Sequence, residues 1–358
     1  TDMMNGAIGR LMKNAMRIAV SDFSAVPAIL NVLRRQGAQA ELRKKKEAEG
    51  VHVPPFMIAS IARACNLRCA GCYDRAKQGA ESVGPCASVP AERELDAASW
   101  ARVFGEARDL GVSFILLAGG EPLLKPDIIR SCGDYPEIVF PVFTNGLLID
   151  ETWTDFFSLA RNVIPVLSLE GDEAQTDRRR GSGVFASISA HLALLKKRRI
   201  LYGVSITLTS ENYDIVMSET YVGGLGPGGA RVVFFVEYVP FDPETDALVV
   251  TDEQKSALSE RLSRLRGKFA AIFLDFPGDE AAFGGCLASG RGFVHVNASG
   301  RVESCPFAPY SDSSISESPL ADALSSPLLS RIRALQEGLD HTGGCALFEN
   351  REKVEALL

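Results

Sequence analysis

From Val51 onward the chain alternates short apolar runs with segments of helical periodicity, and this alternation constrains its fold more than any other feature. Such alternation is typical of repeated β/α units on a parallel sheet. Six strands in one orientation fit either a doubly wound sheet or an incomplete barrel, and both place function at the carboxyl ends of the strands. The predicted strands are Phe56–Ala62, Phe114–Ala118, Ile138–Thr144, Val163–Leu169, Tyr202–Thr209 and Val232–Val239. Helices are predicted to start near Asp96, Pro126, Asp150, Val184, Asn212 and Asp252.

The pattern changes beyond Lys268, to a short strand at Ala271–Phe276, a hairpin at Phe293–Val302 and terminal helices. Length supports a division, because a single hydrophobic core stops growing near roughly 250–300 residues. We therefore predict an α/β protein in three parts. These are an N-terminal helical arm at residues 1–50, a main domain at 51–267 and a small α+β module at 268–358.

Residues 1–50 combine helical apolar periodicity, broken near Pro27, with a basic run from Arg43 to Lys46. The arm either packs against the main domain or rests on an anionic membrane surface. The chain has no apolar run that predicts a spanning helix and no signal-peptide pattern. We therefore predict a cytoplasmic protein, with peripheral membrane contact as the alternative. The net charge of −7 disfavours a bulk nucleic-acid partner.

The eight cysteines carry the strongest chemical signal. In a reducing compartment such residues are more often metal ligands or catalytic groups than disulfides. Cys65, Cys69 and Cys72 follow the first predicted strand, so three thiolates can converge on one iron–sulfur centre. A cubane cluster with three protein ligands leaves one iron open to a small molecule. Structural zinc is the alternative, but it needs a fourth ligand that no nearby cysteine or histidine pair supplies.

Three further motifs follow the next three predicted strands: Gly119-Gly120-Glu121-Pro122, Thr144-Asn145-Gly146 and Ser168-Leu169-Glu170-Gly171. Together with the C-x3-C-x2-C motif and the aromatic residue after it, they resemble the radical S-adenosylmethionine (SAM) superfamily over residues 54–240. The resemblance implies a partial, TIM-like (β/α)6 barrel and a [4Fe–4S] cluster that binds SAM. It also implies SAM contacts at Tyr73, Gly119, Gly120, Glu121, Thr144, Asn145, Ser168 and Glu170.

The chemistry of these residues agrees with the resemblance. Adjacent glycines let a backbone approach a ligand closely, and the Glu121 carboxylate offers an acceptor for the methionyl ammonium group. The serine and glutamate after the fourth strand can hold ribose hydroxyls. Three consecutive arginines follow, and we predict that Arg178 pairs with the methionyl carboxylate, because guanidinium binds carboxylates bidentately. The ordinary alternatives are that the GGEP segment is a loop turn, that the TNG segment is a tight turn and that the arginine run is a solvated helix start.

A second cysteine set lies near the end of the chain, where Gly300 precedes Cys305 by five residues. Its spacing is similar to that of the twitch subdomain, the shortened SPASM extension, which implies one auxiliary [4Fe–4S] cluster on Cys286, Cys305 and Cys345. A turn at Asn297–Gly300 brings the first two of these cysteines together across a hairpin. Three buried structural thiols are the alternative. The fourth ligand stays open between the substrate and the side chains of His295, His341, Cys86 and Cys132.

The resemblance implies an enzyme that takes one electron from a reductant such as flavodoxin or ferredoxin, cleaves SAM to a 5′-deoxyadenosyl radical and abstracts hydrogen from a substrate. The auxiliary cluster either binds that substrate or accepts an electron. The substrate is a small molecule, a peptide or a lipid-like compound. The alternative is a non-enzymatic iron–sulfur electron carrier or metal-binding protein, which leaves Gly119–Glu121 and Ser168–Glu170 unexplained.

Two weaker signals complete the sequence analysis. Residues 224–229 satisfy G-x-G-x-x-G, but they precede a predicted strand where a dinucleotide-binding motif follows one, so we interpret them as a loop. Glu237, Tyr238 and Asp275 end predicted strands, and they are either substrate contacts at the barrel mouth or rim residues.

Overall fold

The computed structural model describes residues 26–75, 93–225, 230–241, 243–336, 339 and 345–358, with backbone alone for residues 26–33, 243, 281–282 and 336. Its strands are β1 (Phe56–Ala62), β2 (Phe114–Gly119), β3 (Phe140–Thr144), β4 (Val163–Leu169), β5 (Tyr202–Leu208), β6 (Ala230–Glu237), β7 (Ile272–Phe276), β8 (Phe293–Val296) and β9 (Val302–Glu303). Its helices are α1 (Val26–Ala48), α2 (Ala97–Leu110), α3 (Pro126–Ser131), α4 (Glu151–Leu159), α5 (Glu173–Arg180), α6 (Val184–Lys197), α7 (Tyr213–Val216), α8 (Glu219–Leu225), α9 (Asp252–Lys268), α10 (Leu320–Leu324), α11 (Pro327–Gln336), α12 (Ala346–Glu349) and α13 (Arg351–Glu355).

These nine strands form one sheet in the order β7-β6-β5-β4-β3-β2-β1-β8-β9. From β1 to β7 each strand pairs in parallel with the next strand of the chain. A doubly wound sheet would reverse its strand order at a switch point, and this sequential run does not. In the described part of the chain the sheet stays open, with β7 and β9 at its two ends. The predicted partial barrel is confirmed.

Two of the predicted helix starts are confirmed by local hydrogen bonds. Asp96 precedes α2 and its carboxylate accepts a hydrogen bond from the Ser99 N–H at 2.8 Å. Asp150 caps α4 in the same way, accepting from the Trp153 N–H at 2.9 Å. These side chains satisfy N–H groups that have no partner within the helix. Each of these two caps therefore starts its helix after a loop at the carboxyl edge of the sheet.

The two faces of β1 contact different cores, because successive side chains of a strand point to opposite faces. Met57 and Ile61 belong to a large core between the sheet and its outer helices. Phe56 and Ile58 pack against a smaller core that is built from C-terminal residues. The C-terminal residues therefore pack against the concave face of the sheet.

The strands of the predicted C-terminal module join the main sheet at both of its edges. β7 pairs in parallel with β6 from Val232↔Ile272, and β8 pairs in parallel with β1 from Phe56↔Phe293. β8 and β9 form the predicted hairpin, whose Gly300 has a φ of +92° that favours glycine. The hairpin is confirmed, but these strands extend the main sheet rather than forming a sheet of their own.

Helix α1 packs against the main domain where its side chains are described. Arg43 is 1% exposed, and its guanidinium donates to the Ser113 hydroxyl at 2.7 Å and to the Gly111 carbonyl. The neighbouring Lys44 and Lys45 are exposed. These contacts favour the packed arm for residues 34–48. Membrane contact through residues 1–50 stays a prediction, since residues 1–25 lie outside the described part. No described helix is both long and apolar enough to cross a membrane.

Candidate functional site

The C-x3-C-x2-C cysteines lie on the loop after β1, at the carboxyl edge of the sheet. We call residues 63–72 the cluster loop. Cys65 is exposed, whereas Cys69 and Cys72 are half-buried. The Leu67 N–H donates to the Cys65 sulfur at 3.4 Å, and the Ala70 N–H donates to the carbonyl of a residue in α5 at 2.9 Å. The loop is held in place and leaves three thiols within reach of a ligand.

Gly119 and Gly120 hold the end of β2 against the cluster loop. The N–H groups of Gly120 and Glu121 donate to the carbonyls of Ala62 and Ala64 at 2.7 and 2.8 Å. A Cβ at either glycine would lie 2.3 Å from one of those carbonyl oxygens, so no larger residue fits. The sequence suggested close approach to a ligand. The structure shows close approach to a neighbouring backbone, which fixes the cluster loop relative to the sheet.

The Glu121 carboxylate is 1% exposed and joins three loops. Oε1 accepts from the Thr144 hydroxyl at 2.7 Å and from the Leu123 N–H at 2.9 Å, and Oε2 accepts from the Asn145 N–H at 2.8 Å. Burial raises the pKa of Glu121, and these donors offset part of the rise. The Asn145 side-chain amide donates to Asn66 Oδ1 at 2.6 Å. The GGEP and TNG motifs therefore act together to position the cluster loop.

Glu170, directly after β4, pairs with two arginines of α5. Its Oε1 lies 2.5 Å from Arg179 Nη1 and 2.6 Å from Arg180 Nη2. Glu170 is 1% exposed, and its Oε2 has no hydrogen-bond partner among the described residues. Buried polar atoms are nearly always hydrogen-bonded, so this oxygen is suited to accept a hydroxyl of a ligand. Ser168 lies half-buried on β4, two residues earlier.

Of the three consecutive arginines, Arg178 points away from the cluster loop. It pairs with Glu211 at 2.9 Å, and the two side chains are 60% and 48% exposed. Arg180 is largely buried instead, and together with Arg179 it offsets part of the rise that burial causes in the pKa of Cys69. Successive side chains of a helix point in different directions. The structure therefore places Arg179 and Arg180 beside the cluster loop, and Arg178 at the surface.

The second cysteine set is buried in the smaller core. Cys286 and Cys305 are 5% and 3% exposed, and Cys345 is half-buried. After burial, the neighbouring thiols of Cys345 and Cys286 add to the rise in the pKa of Cys305, so the three side chains lie near one another. Burial raises the pKa of Cys305 and of Cys286 well above the usual range of a thiol. The structure thus brings together the three cysteines that the sequence assigned to one centre.

The described residues were also searched for a site that could hold a single metal ion. No three histidine, cysteine or acidic side chains within the described ranges converge closely enough to hold one metal ion. A cubane cluster binds each thiolate at a different iron, so its ligands lie farther apart than those of one ion.

Two of the candidate fourth ligands have other partners. The Nε2 of His295 lies 2.8 Å from the Ser60 hydroxyl, and its Nδ1 lies 2.7 Å from a carboxylate oxygen of Glu303. Cys132 belongs to the large core, where its thiol donates to a backbone carbonyl at 3.5 Å. Both ring nitrogens of His295 are therefore engaged, and Cys132 lies in the wrong core. The other two candidates lie outside the described residues: Cys86 and His341.

Glu280 is a residue of this region that the sequence analysis missed. It lies in the short 3-10 segment Gly278–Phe283 and is 7% exposed. The Leu287 N–H donates to its Oε1 at 3.1 Å, and its charge adds to the rise that burial causes in the pKa of Cys286. A 3-10 segment has no apolar periodicity that would set it apart in sequence. The one available signal was its position six residues before Cys286.

Aromatic rings connect the two cysteine sets. Tyr73, which follows the cluster loop, lies edge-on to Phe307 with ring centroids 5.3 Å apart. Phe241 lies 6.1 Å from Phe307 and 5.3 Å from Phe348. The Phe307 N–H donates to the Cys305 sulfur at 3.5 Å. These four rings, which we call the aromatic bridge, form a continuous apolar contact from the cluster loop to the second set.

The three strand-end candidates are all buried. Glu237, Tyr238 and Asp275 are 6%, 6% and 4% exposed. Burial first, and then the charge of Glu237, raises the pKa of Asp275 to about 8. The Tyr238 hydroxyl donates to Thr245 at 2.7 Å, and its ring packs against Gly71 of the cluster loop. Tyr238 therefore supports the cluster loop, and the two carboxyl groups are enclosed rather than open at a rim.

Comparison with known proteins agrees with this site. Residues 59–217 match the model of the Radical SAM superfamily. The chain is 25% identical to the AdoMet-dependent heme synthase of Methanosarcina barkeri, over 84% of this chain and 90% of that protein. It is 27% identical to the PqqA peptide cyclase of Ruegeria pomeroyi, over 71% and 68% of the two chains. Its fold is similar to that of Streptococcus suis SuiB bound to precursor peptide SuiA, with a TM-score of 0.61 at 16% identity, over 82% and 70% of the two chains.

Proposed function

Because this chain belongs to the radical SAM superfamily and is an enzyme, we propose that Cys65, Cys69 and Cys72 hold a [4Fe–4S] cluster at which SAM is cleaved reductively. The observation that carries this proposal is the hydrogen-bonded assembly of the cluster loop, Glu121 and Asn145 at one edge of the sheet. When bound, the cluster and SAM supply a 5′-deoxyadenosyl radical that abstracts hydrogen from a substrate C–H bond. The protein binds and orients SAM and the substrate, and it excludes water.

The residues around the cluster loop have separate tasks in SAM binding. Glu170 uses its unpartnered Oε2 to accept a ribose hydroxyl, while its Oε1 keeps two arginines in place. Arg180 supplies positive charge for the methionyl carboxylate, a role that the sequence analysis assigned to Arg178. Glu121 positions the cluster loop and the Asn145 backbone, because its carboxylate oxygens already accept protein hydrogen bonds.

Cys286, Cys305 and Cys345 hold the auxiliary [4Fe–4S] cluster in this proposal. Support comes from the burial of Cys286 and Cys305 in the smaller core, with Cys345 near them. The aromatic bridge lies between this core and the cluster loop. Its apolar rings form a low-dielectric layer that keeps water away from the substrate radical. The electron for SAM cleavage comes from a flavodoxin or ferredoxin, and the loop with exposed Cys65 is the side from which it enters.

A peptide is the proposed substrate class. The PqqA peptide cyclase similarity and the fold shared with SuiB bound to a precursor peptide support it. The aromatic bridge offers apolar contact area for a peptide side chain. The heme synthase similarity spans more of this chain and makes an iron tetrapyrrole the rival substrate.

Anaerobic turnover tests both parts of the proposal. The reconstituted full chain is incubated with SAM and titanium(III) citrate, and 5′-deoxyadenosine is measured by chromatography. We expect 5′-deoxyadenosine without added substrate and a faster rate with a precursor peptide such as PqqA or SuiA. A chain that holds a reducible cluster yet forms no 5′-deoxyadenosine contradicts the enzyme proposal. Stimulation by an iron coproporphyrin and by neither peptide contradicts the peptide assignment.

A further inference from the structure

We propose that Ser60, His295 and Glu303 form a proton relay, which takes the proton that the substrate releases when it is oxidised. The inference rests on the proposed function and on an auxiliary cluster that accepts an electron. The three side chains are hydrogen-bonded in a row. Ser60 Oγ lies 2.8 Å from His295 Nε2, and His295 Nδ1 lies 2.7 Å from Glu303 Oε2. The three residues are 6%, 2% and 6% exposed, so bulk water does not compete for the proton.

The register of three neighbouring strands places the row on one face of the sheet. His295 of β8 lies opposite Ile58 of β1 and opposite Glu303 of β9. Ile58 packs against the smaller core, so Ser60, two residues later on β1, points to the same concave face. Ser60 lies three residues before the cluster loop, and Glu303 lies two residues before Cys305. The row therefore extends along the concave face from the first cysteine set toward the second.

The proton positions in the row follow from its Glu303 end. Asn297 Oδ1 accepts from two backbone N–H groups of the hairpin turn, both at 3.0 Å, so Asn297 Nδ2 is the group that donates to Glu303 Oε1 at 2.6 Å. A carboxylate only accepts hydrogen bonds, so His295 Nδ1 carries a proton. Nε2 of the neutral ring is then bare and accepts from the Ser60 hydroxyl, whose oxygen can still accept a further donor.

Oxidation of the substrate gives the row its task. After hydrogen abstraction, the substrate radical becomes a closed-shell product when it loses one electron and one proton. The electron passes to the oxidised auxiliary cluster. The proton passes to the Ser60 oxygen while the Ser60 proton moves to His295 Nε2, and Glu303 stabilises the imidazolium that forms. The substrate thus loses two hydrogen atoms in all, one to 5′-deoxyadenosine and one as this proton and electron.

The tautomer of His295 tests the relay without any substrate. The full chain is labelled with nitrogen-15 in its four histidines, reconstituted anaerobically and kept oxidised at neutral pH. Long-range proton–nitrogen NMR then reports which ring nitrogens carry a proton, and His295→Gln identifies the signals. We expect a neutral ring that is protonated at Nδ1. A proton on Nε2, or on both nitrogens, overturns the proposal, because the ring then has no site to receive one.

Glu303→Gln should reverse this tautomer. The new amide must turn its oxygen toward Asn297 Nδ2, so its NH2 group faces His295 Nδ1 and moves the ring proton to Nε2. His191→Gln, on α6 and outside the row, should leave the His295 signals unchanged. An unchanged tautomer in Glu303→Gln contradicts the role of Glu303.

Product formation tests the relay in turnover. With PqqA or SuiA under the anaerobic conditions given above, mass spectrometry counts peptides that are lighter by two hydrogen atoms. Ser60→Ala should lower the rate of their formation about a hundredfold, the scale of positioned proton transfer. Ser60→Thr keeps the hydroxyl and should restore most of the rate, which a general loss of packing would not allow. Product from Ser60→Ala at the parent rate overturns the proposal.

Failure of the proposed function gives a different result. A parent chain that forms no 5′-deoxyadenosine, or no lighter peptide, contradicts the proposed function. The NMR measurement does not depend on turnover, so it still decides whether His295 is a proton acceptor.

Discussion

The two cysteine sets differ in exposure and in the charge around them. The first lies on a loop with exposed Cys65, and Arg179 and Arg180 are its charged neighbours. The second lies in a small core with buried Cys286, where the charge of Glu280 adds to the rise that burial causes in the pKa of that thiol. Positive charge and access suit a cluster that must bind a ligand with a carboxylate group. Burial beside an acid suits a cluster that keeps ligands and water away.

In the proposed function, this difference lets one sheet serve two kinds of chemistry. The carboxyl edge supplies loops whose backbones interlock, so that Gly119 and Gly120 hold the cluster loop without covering its thiols. The concave face contacts the smaller core through Phe56 and Ile58. The aromatic bridge joins the two regions.

The largest effect is expected from Cys69→Ala. Loss of a cluster ligand should lower 5′-deoxyadenosine formation to background, at least about a hundredfold, because the cluster is what supplies the chemistry. Cys132→Ala is the matched control, because it also removes one thiol, but that thiol is buried in the large core. It should keep its cluster and most of its activity. Similar losses in both variants would indicate general instability and would contradict the assignment of the cluster loop.

Arg180→Gln should lower both SAM affinity and stability. It breaks a buried pair with Glu170, which costs about 3 kcal/mol in the free energy of unfolding if Arg179 does not compensate. Arg178→Gln changes an exposed pair and should cost within about 0.5 kcal/mol. Equilibrium SAM binding and urea unfolding of both variants check this contrast. Equal effects from the two substitutions would show that the buried arginine has no special part in SAM binding.

The pH dependence of stability should report on Asp275. Its pKa is about 8 in the folded protein against an ordinary value of 3.8, so the folded protein keeps a proton that the unfolded chain has released between these pH values. The free energy of unfolding therefore falls as pH rises from about 4 to about 8. Asp275→Asn should remove about 1 to 2 kcal/mol of that fall, since Glu237 shares part of the titration.

Urea unfolding across that pH range measures the slope. Asp109→Asn is the control, because Asp109 is 67% exposed and should leave the slope unchanged. If Asp275→Asn leaves the slope unchanged, the Asp275 carboxyl group is ionised in both the folded and the unfolded protein. Burial of Asp275 then does not keep its carboxyl group protonated.

The strands, the helix starts and the grouping of Cys65, Cys69 and Cys72 were predictable because each depends on local sequence. Asp96 and Asp150 begin helices through hydrogen bonds to residues three positions ahead. The cluster loop follows β1 directly, so its place at the carboxyl edge follows from strand direction alone. Parallel pairing then brought Glu121 and Asn145 to the same edge.

The features that the sequence did not predict depend on the direction in which side chains point from a helix and on tertiary contacts. Arg178 and Arg180 are two positions apart on α5, and only packing decides which of them is buried. Glu280 approaches Cys286 through an irregular segment with no periodic signal. The joining of β7 and β8 to opposite edges of one sheet likewise follows from long-range pairing, which composition and periodicity do not encode.

Iron and sulfide content with EPR, measured with and without SAM, tests the central claim of two distinct clusters most directly. The native chain is compared with the Cys65→Ala, Cys69→Ala, Cys72→Ala variant after anaerobic reconstitution. We predict about eight irons in the native chain, about four in the variant, and a signal that SAM perturbs in the native chain alone. About four irons in the native chain and none in the variant, or zinc in place of iron, would contradict the account.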